Sequence, residues 1–109
     1  MQDNMVFTVK ANLFGVLGHP IRLKLIEELK NGEKSVGYLV NKFNLSQPSV
    51  SRHLSTLRNV GILTSRQEKA TVYYSILDND IFSVLRPAAL MLQRRFKASE
   101  RVLINLGKE

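Results

Sequence analysis

The sequence predicts a mainly α fold with one small β-hairpin, and three observations carry that prediction. Apolar residues recur at helical spacing along the 109-residue chain, as in Val36, Leu39, Val40 and Phe43 and again in Val50, Leu54 and Leu57. Two short runs, Ile62–Arg66 and Thr71–Ile76, are instead rich in β-branched and aromatic residues and flank the polar or small Gln67-Glu68-Lys69-Ala70. The two helical stretches before the hairpin are joined only by Asn44-Leu45. Helix, turn, helix and hairpin in that order make a winged helix-turn-helix.

Taken in order, the first helix is expected over about residues 4–17, with Val6, Val9, Leu13 and Val16 on one stripe and Phe7 and Phe14 pointing elsewhere. A helix apolar on more than one side is expected to touch both its own core and a second subunit. The second helix follows His19-Pro20, where proline costs no hydrogen bond and His19 is placed to cap or pack. Its neighbouring acids, Glu27 and Glu28, point about 100° apart and read as solvated. The helix-turn-helix spans about residues 35–59. Its second helix starts at Ser46, whose hydroxyl can cap free amides, and carries Pro48 where no carbonyl partner is lost. Gly61 supplies the left-handed residue that ends it near Asn59.

The hairpin is expected over about residues 62–76, and a last helix over about 79–106. That helix carries Leu85, Ala89, Leu92, Phe96, Ser99, Leu103 and Leu106 at alternating four- and three-residue spacing, a seam that needs another helix against it. Asp78 or Asp80 is placed to cap it, and Pro87 is expected to break it near Arg86. The first and last helices therefore read as a dimer interface, through Val6, Val9, Leu13, Leu85, Ala89, Leu92, Phe96 and Leu103.

In a helix-turn-helix the second helix lies in the major groove and its first turns meet base edges. That places Ser46, Gln47, Ser49, Ser51, Arg52 and His53 at DNA, with Gln47 able to pair with adenine and Arg52 with guanine. His53 either packs or touches a phosphate. On the wing, Arg66, Gln67 and Lys69 are placed to meet phosphates or a minor groove, Lys69 from the tip.

Charge agrees with a polyanionic partner: the formal net charge is +7. Residues 42–69 carry Lys42, Arg52, Arg58, Arg66 and Lys69 against Glu68 alone, which makes this block the expected DNA face. A second basic cluster, Arg86, Arg94, Arg95, Lys97, Arg101 and Lys108, falls on the last helix and reads as a solvated face, a DNA flank or a site for an acidic partner. No apolar run approaches the roughly 20 residues of a membrane span. Met1-Gln2-Asp3-Asn4 lacks the basic start of a signal peptide, so no membrane partner and a cytoplasmic location are expected.

The chain resembles the ArsR/SmtB family of small prokaryotic winged-helix repressors over nearly its whole length. The residues that carry the resemblance are Leu17-Gly18-His19-Pro20-Ile21-Arg22-Leu23-Lys24-Leu25-Ile26, the run from Ser46 to Leu54, Gly61-Ile62-Leu63, and Val72-Tyr73-Tyr74. The resemblance implies a homodimer on a pseudo-palindromic operator, with the first and last helices at the dimer interface. It also implies repression until a signal lowers DNA affinity. The family's metal sites do not carry over. Ser35 and Gly37 stand where some members place a sensing cysteine pair, and the chain has no cysteine. Residues 81–109 contain no histidine, so the family's site on the last helix is also missing. His19 and His53, in separate settings, are not expected to share a site. No metal, no cofactor and no catalytic residue is expected, because no nucleophile–base pair, phosphate loop or paired carboxylates occur.

Two functions fit this reading. One is a sequence-specific DNA-binding regulator, a dimeric repressor without a thiolate sensor, whose small-molecule or protein effector the residues do not identify. The other is a winged-helix protein-interaction module for an acidic partner. The polar set Gln47, Ser49 and Arg52 favours DNA, because a protein-binding groove would expose aromatic or aliphatic anchors there.

Overall fold

A computed structural model describes residues 3–97. The chain divides between Leu77 and Asp78 into two compact units. The first holds α1 (Asp3–Leu17), α2 (Pro20–Leu29), β1 (Lys34–Ser35), α3 (Val36–Phe43), α4 (Gln47–Asn59), β2 (Leu63–Glu68) and β3 (Thr71–Ile76); the second holds α5 (Ile81–Arg95). The fold is a winged helix-turn-helix, with α3 and α4 as the helix pair and β2–β3 as the wing.

The starts of α2, α3 and α4 each have a side chain that accepts an otherwise unpaired amide. His19 Nδ1 accepts from Ile21 N at 3.1 Å, Ser35 Oγ from Tyr38 N at 3.0 Å and Ser46 Oγ from Ser49 N at 3.3 Å. The turn between α3 and α4 closes on Asn44, whose φ of 53° is left-handed, a conformation that asparagine tolerates better than most residues. Gly61 ends the α4 segment at φ 85°.

The core gathers apolar residues from three helices and the sheet. Leu25, Ile26, Leu29, Leu39, Val50, Leu54, Leu57 and Leu63 are fully buried, and Ile62 and Tyr74 nearly so. Along α4 the buried positions Val50, Leu54 and Leu57 stand four and three residues apart, so a single face enters the core.

The sheet is three-stranded and antiparallel in the order β1-β3-β2. β1 was not foreseen: it is two residues long and pairs Lys34 with Tyr74 and Ser35 with Tyr73. The wing strands run Leu63–Glu68 and Thr71–Ile76, so β2 takes in Gln67 and Glu68, which the residue types assign to the loop. Glu68 pairs with Thr71, leaving Lys69 and Ala70 as the whole turn, with Lys69 at φ 57°. A left-handed lysine costs on the order of 1 kcal/mol relative to glycine there.

In the second unit, the break expected near Arg86 is absent: α5 is helical throughout Ile81–Arg95 with Pro87 inside. A proline removes one backbone hydrogen bond, and the strong helix formers Ala88, Ala89 and Leu90 follow it directly. Asp80 occupies the N-cap position without a side-chain bond into the helix; Asp78 Oδ1 instead accepts from Asp80 N at 2.9 Å. Of the expected seam, Ser99, Leu103 and Leu106 lie outside the described residues.

The expected interface residues are incompletely covered. On α1, Val6 and Leu13 are half-buried, Val9 is 57% exposed, and Phe7 and Phe14 are 69% and 57% exposed. On α5, Leu85 and Ala89 are half-buried, while Met91, Leu92 and Phe96 are exposed.

Leu54→Ala should lower the free energy of unfolding by about 2–5 kcal/mol, because the side chain is fully enclosed. Leu77→Ala, at a 57% exposed position, should cost under about 1 kcal/mol. Urea denaturation of both variants checks the contrast.

Candidate nucleic-acid interface

The buried stripe of α4 decides which of its side chains meet solvent. With Val50, Leu54 and Leu57 turned inward, Ser46, Gln47 and Arg52 are exposed, and Ser49 and Ser51 are half-buried at the edges of the same face. This face carries hydrogen-bonding groups and one full cation at the start of the helix, where major-groove readers place their base contacts. Ser46 has the additional duty of capping, since its Oγ accepts from Ser49 N. Gln47 Nε2 donates to Ser51 Oγ at 2.8 Å, one turn along, which orients the amide before any partner arrives.

Gln47 and Ser51 also line a groove of about 450 Å³ whose other walls are the start of α3, from Ser35 to Gly37, and wing residues 70–72 and 74. Helix α4 and the wing therefore face one concave surface. Arg58, which sequence reasoning counted only as charge, joins the two: its Nη1 donates to Ser65 Oγ at 3.0 Å, and its guanidinium lies 5.9 Å from the Tyr74 ring.

His53 requires a correction. It is not on the exposed polar face of α4, where contact with a phosphate was expected, but buried at 9% exposure, because it follows Val50 by three residues on the inward side. Its Nδ1 accepts from Arg22 Nε at 3.1 Å, and Arg22 Nη1 donates to Val16 O at 3.1 Å, so one arginine ties α1 and α4 to α2. The His19 ring lies 4.5 Å from that of His53, tilted by 53°. The two histidines, expected in separate settings, thus share a cluster, although 34 positions part them in the chain. Both use Nδ1 as an acceptor, which puts the proton of each neutral ring on Nε2. Among the described residues no group of three or more His, Cys, Asp or Glu could hold a metal ion.

On the wing, Lys69 is exposed at the tip, as the residue order implies. Arg66 is also on the surface, but its guanidinium is occupied. Nε and Nη2 donate to the two oxygens of Glu33 at 2.8 Å each, Nη1 donates to Glu68 at 2.7 Å, and the plane lies 4.5 Å from the Tyr73 ring centroid. The bond from Arg66 holds Glu33 below the usual carboxylate range, and the two carboxylates raise Arg66 further.

With this geometry established, similarity to known proteins assigns the chain. Residues 19–65 match the model of the arsR family of bacterial regulatory proteins. An uncharacterized HTH-type transcriptional regulator of Mycobacterium tuberculosis, Rv0081, is 31% identical over 105 residues, covering 95% of this chain and 90% of that one. The chain belongs to the ArsR family. The crystal structure of Rv0081 superposes with a TM-score of 0.77 at 33% identity over 89% of this chain and 96% of that one. That of NolR from Sinorhizobium fredii gives 0.73 at 29% identity, over 84% and 96%. The transcriptional repressor SdpR of Bacillus subtilis is 32% identical over 65 residues, 60% of this chain and 72% of that protein. This ArsR-family member is a winged helix-turn-helix transcriptional regulator, in a family of DNA-binding regulators rather than enzymes. Among its described residues no helix is long and apolar enough to cross a membrane.

Burial lowers the pKa of His53, and the charges of His19, Arg22 and Arg52 lower it further. Below the ordinary histidine value of 6.5 the unfolded chain then binds more protons than the folded one. The stability due to neutral His53 is complete above about 6.5 and is lost as pH falls through the depressed value. A ring-proton NMR titration should place His53 below 6.5, and the urea midpoint should fall as the pH is lowered through and below 6.5. A His53 ring titrating at or above 6.5 contradicts this assignment.

Proposed function

We propose that this ArsR-family protein is a homodimeric, cytoplasmic repressor that reads a pseudo-palindromic operator with α4 and holds the adjoining backbone with its wing. The observation that carries the proposal is the exposed polar start of α4 above a face that is wholly buried. Arg52 is free to engage guanine in the major groove, and Gln47 engages adenine by exchanging its bond to Ser51 for bonds to the base. Ser46, Ser49 and Ser51 supply shorter hydroxyl contacts, and Lys69 meets a phosphate from the wing tip.

The dimer in this reading is made by α1 and the last helix, through Val6, Val9, Leu13, Leu85, Ala89, Leu92 and Phe96, with Leu103 beyond the described residues. The apolar exposure of α1 and α5 supports it: side chains such as Val9 and Leu92 remain 57% and 39% exposed in the isolated chain. Residues 1–109 then act as one DNA-binding domain that carries its own dimerisation helices. With no cysteine in the chain a thiolate metal sensor has no ligands, and with no histidine in residues 81–109 the family's site on the last helix has none of its imidazoles, which supports a metal-independent reading of its regulation.

Selection from a random duplex library tests the proposal. A two-fold symmetric motif with half-sites about one helical turn or a multiple apart is expected. No enriched motif, with binding lost at moderate salt, would contradict it and favour a protein partner.

Against the selected duplex, Arg52→Ala and Gln47→Ala should each cost about 1–3 kcal/mol and relax base preference. Lys69→Gly keeps the left-handed turn while removing the charge. It should weaken all duplexes evenly and reduce the salt slope by about 1. Fluorescence anisotropy at two salt concentrations separates these outcomes, and equal losses on specific and random DNA for all three would defeat the role assignment. Zinc or arsenite added to the complex should leave the affinity unchanged; metal-induced release would overturn the metal-independent reading.

A further inference from the structure

We infer that Arg66 is a positioning residue which straps the wing to the start of the helix-turn-helix, and that Glu33 is its essential counterpart. The inference rests on the wing's role in DNA binding and replaces a direct phosphate contact by Arg66.

Three residues form one row across the sheet: Ser35 on β1 pairs with Tyr73 on β3, which pairs with Arg66 on β2. From the edge strand β2, Arg66 reaches over the Tyr73 ring of the central strand and ends on Glu33, the residue before β1. Its side chain thus crosses the whole sheet. The far end of the strap is well placed to fix the reading unit, because β1 ends at Ser35, the cap of α3. Only two ladder pairs join β1 to the wing, so the wing has little other backbone attachment on this side.

Exposed ion pairs usually contribute little, since water screens them and long side chains lose entropy. This one has the geometry of the exceptions: a two-oxygen fork, a second carboxylate on the remaining nitrogen, and an aromatic plane beneath the guanidinium. Charge also separates positioning from phosphate binding. Arg66, Glu33 and Glu68 together carry a formal charge of −1, so the cluster does not attract a phosphate. To bind one, Arg66 would first have to release its three charge-assisted bonds.

Glu33→Gln decides the matter by the direction of its effect. It adds one positive charge to the protein, so electrostatics alone predicts tighter DNA binding. A strap predicts weaker binding to the selected duplex, by about three- to tenfold, with the salt slope unchanged. Arg66→Gln should show the same loss, and combining Glu33→Arg with Arg66→Glu should recover most of it. Equal or tighter binding by Glu33→Gln, or a slope reduced by about one in Arg66→Gln without recovery in the swapped pair, overturns the inference. Backbone ¹⁵N relaxation on free Glu33→Gln protein gives an independent test, with increased motion expected at residues 67–71. Unchanged order there overturns the strap whatever the DNA results, whereas wild-type protein that selects no duplex refutes the DNA-binding reading instead.

Discussion

The burial of one face of α4 is the constraint on which the rest of this structure depends. Val50, Leu54 and Leu57 have no exposed surface, so the helix cannot roll about its axis without bringing several large apolar side chains into water. That lock presents Gln47 and Arg52 outward and gives the Ser46 cap and the Asn44 turn their purpose, since they control where α4 begins and how it meets α3. The polar part of the lock is His53, whose bond from Arg22 satisfies a buried ring nitrogen and anchors α4 to the α1–α2 corner. Among the described residues no buried side-chain nitrogen or oxygen lacks a partner.

The wing solves a different problem. A two-stranded ribbon is marginal in water by itself, so its direction has to be held by the rest of the fold. Here the third strand, the Arg58 bond to Ser65 and the crossing of Arg66 to Glu33 each join the ribbon to the helical body. The division of labour among the basic residues follows. Arg66 and Arg58 are engaged with the protein itself, while Arg52 on α4 and Lys69 at the wing tip are exposed. Net charge counts all four alike; geometry does not.

What was legible in the sequence was whatever is local and periodic. Ser46, the four-and-three spacing from Val50 to Leu57, and Gly61 define α4 within a short window, and β-branched and aromatic residues marked both wing strands. The strand β1 escaped notice because two residues contain no period, and Lys34-Ser35 becomes a strand only when Tyr73 and Tyr74 arrive beside it. Arg66 and Glu33, like His19 and His53, lie more than 30 positions apart, so their pairing is a property of the fold and no spacing reports it. The position of His53 could have been read more closely: three residues after Val50 and just before Leu54, it falls on the inward face. Pro87 is the opposite case, a residue that ordinarily breaks a helix yet lies inside α5, where Ala88, Ala89 and Leu90 favour the helix directly after it.

Membership of the ArsR family and the exposed apolar side chains of α1 and α5 fit a protein that completes itself with a second copy and addresses DNA through α4. The most direct test is amide chemical-shift mapping of the labelled protein titrated with its selected duplex. The account predicts that the largest shifts fall on Ser46, Gln47, Ser49, Ser51 and Arg52 and on the wing tip at 68–70, with the core positions Val50, Leu54 and Leu57 little changed. Shifts concentrated on α1 or α5, with the start of α4 unmoved, would contradict it.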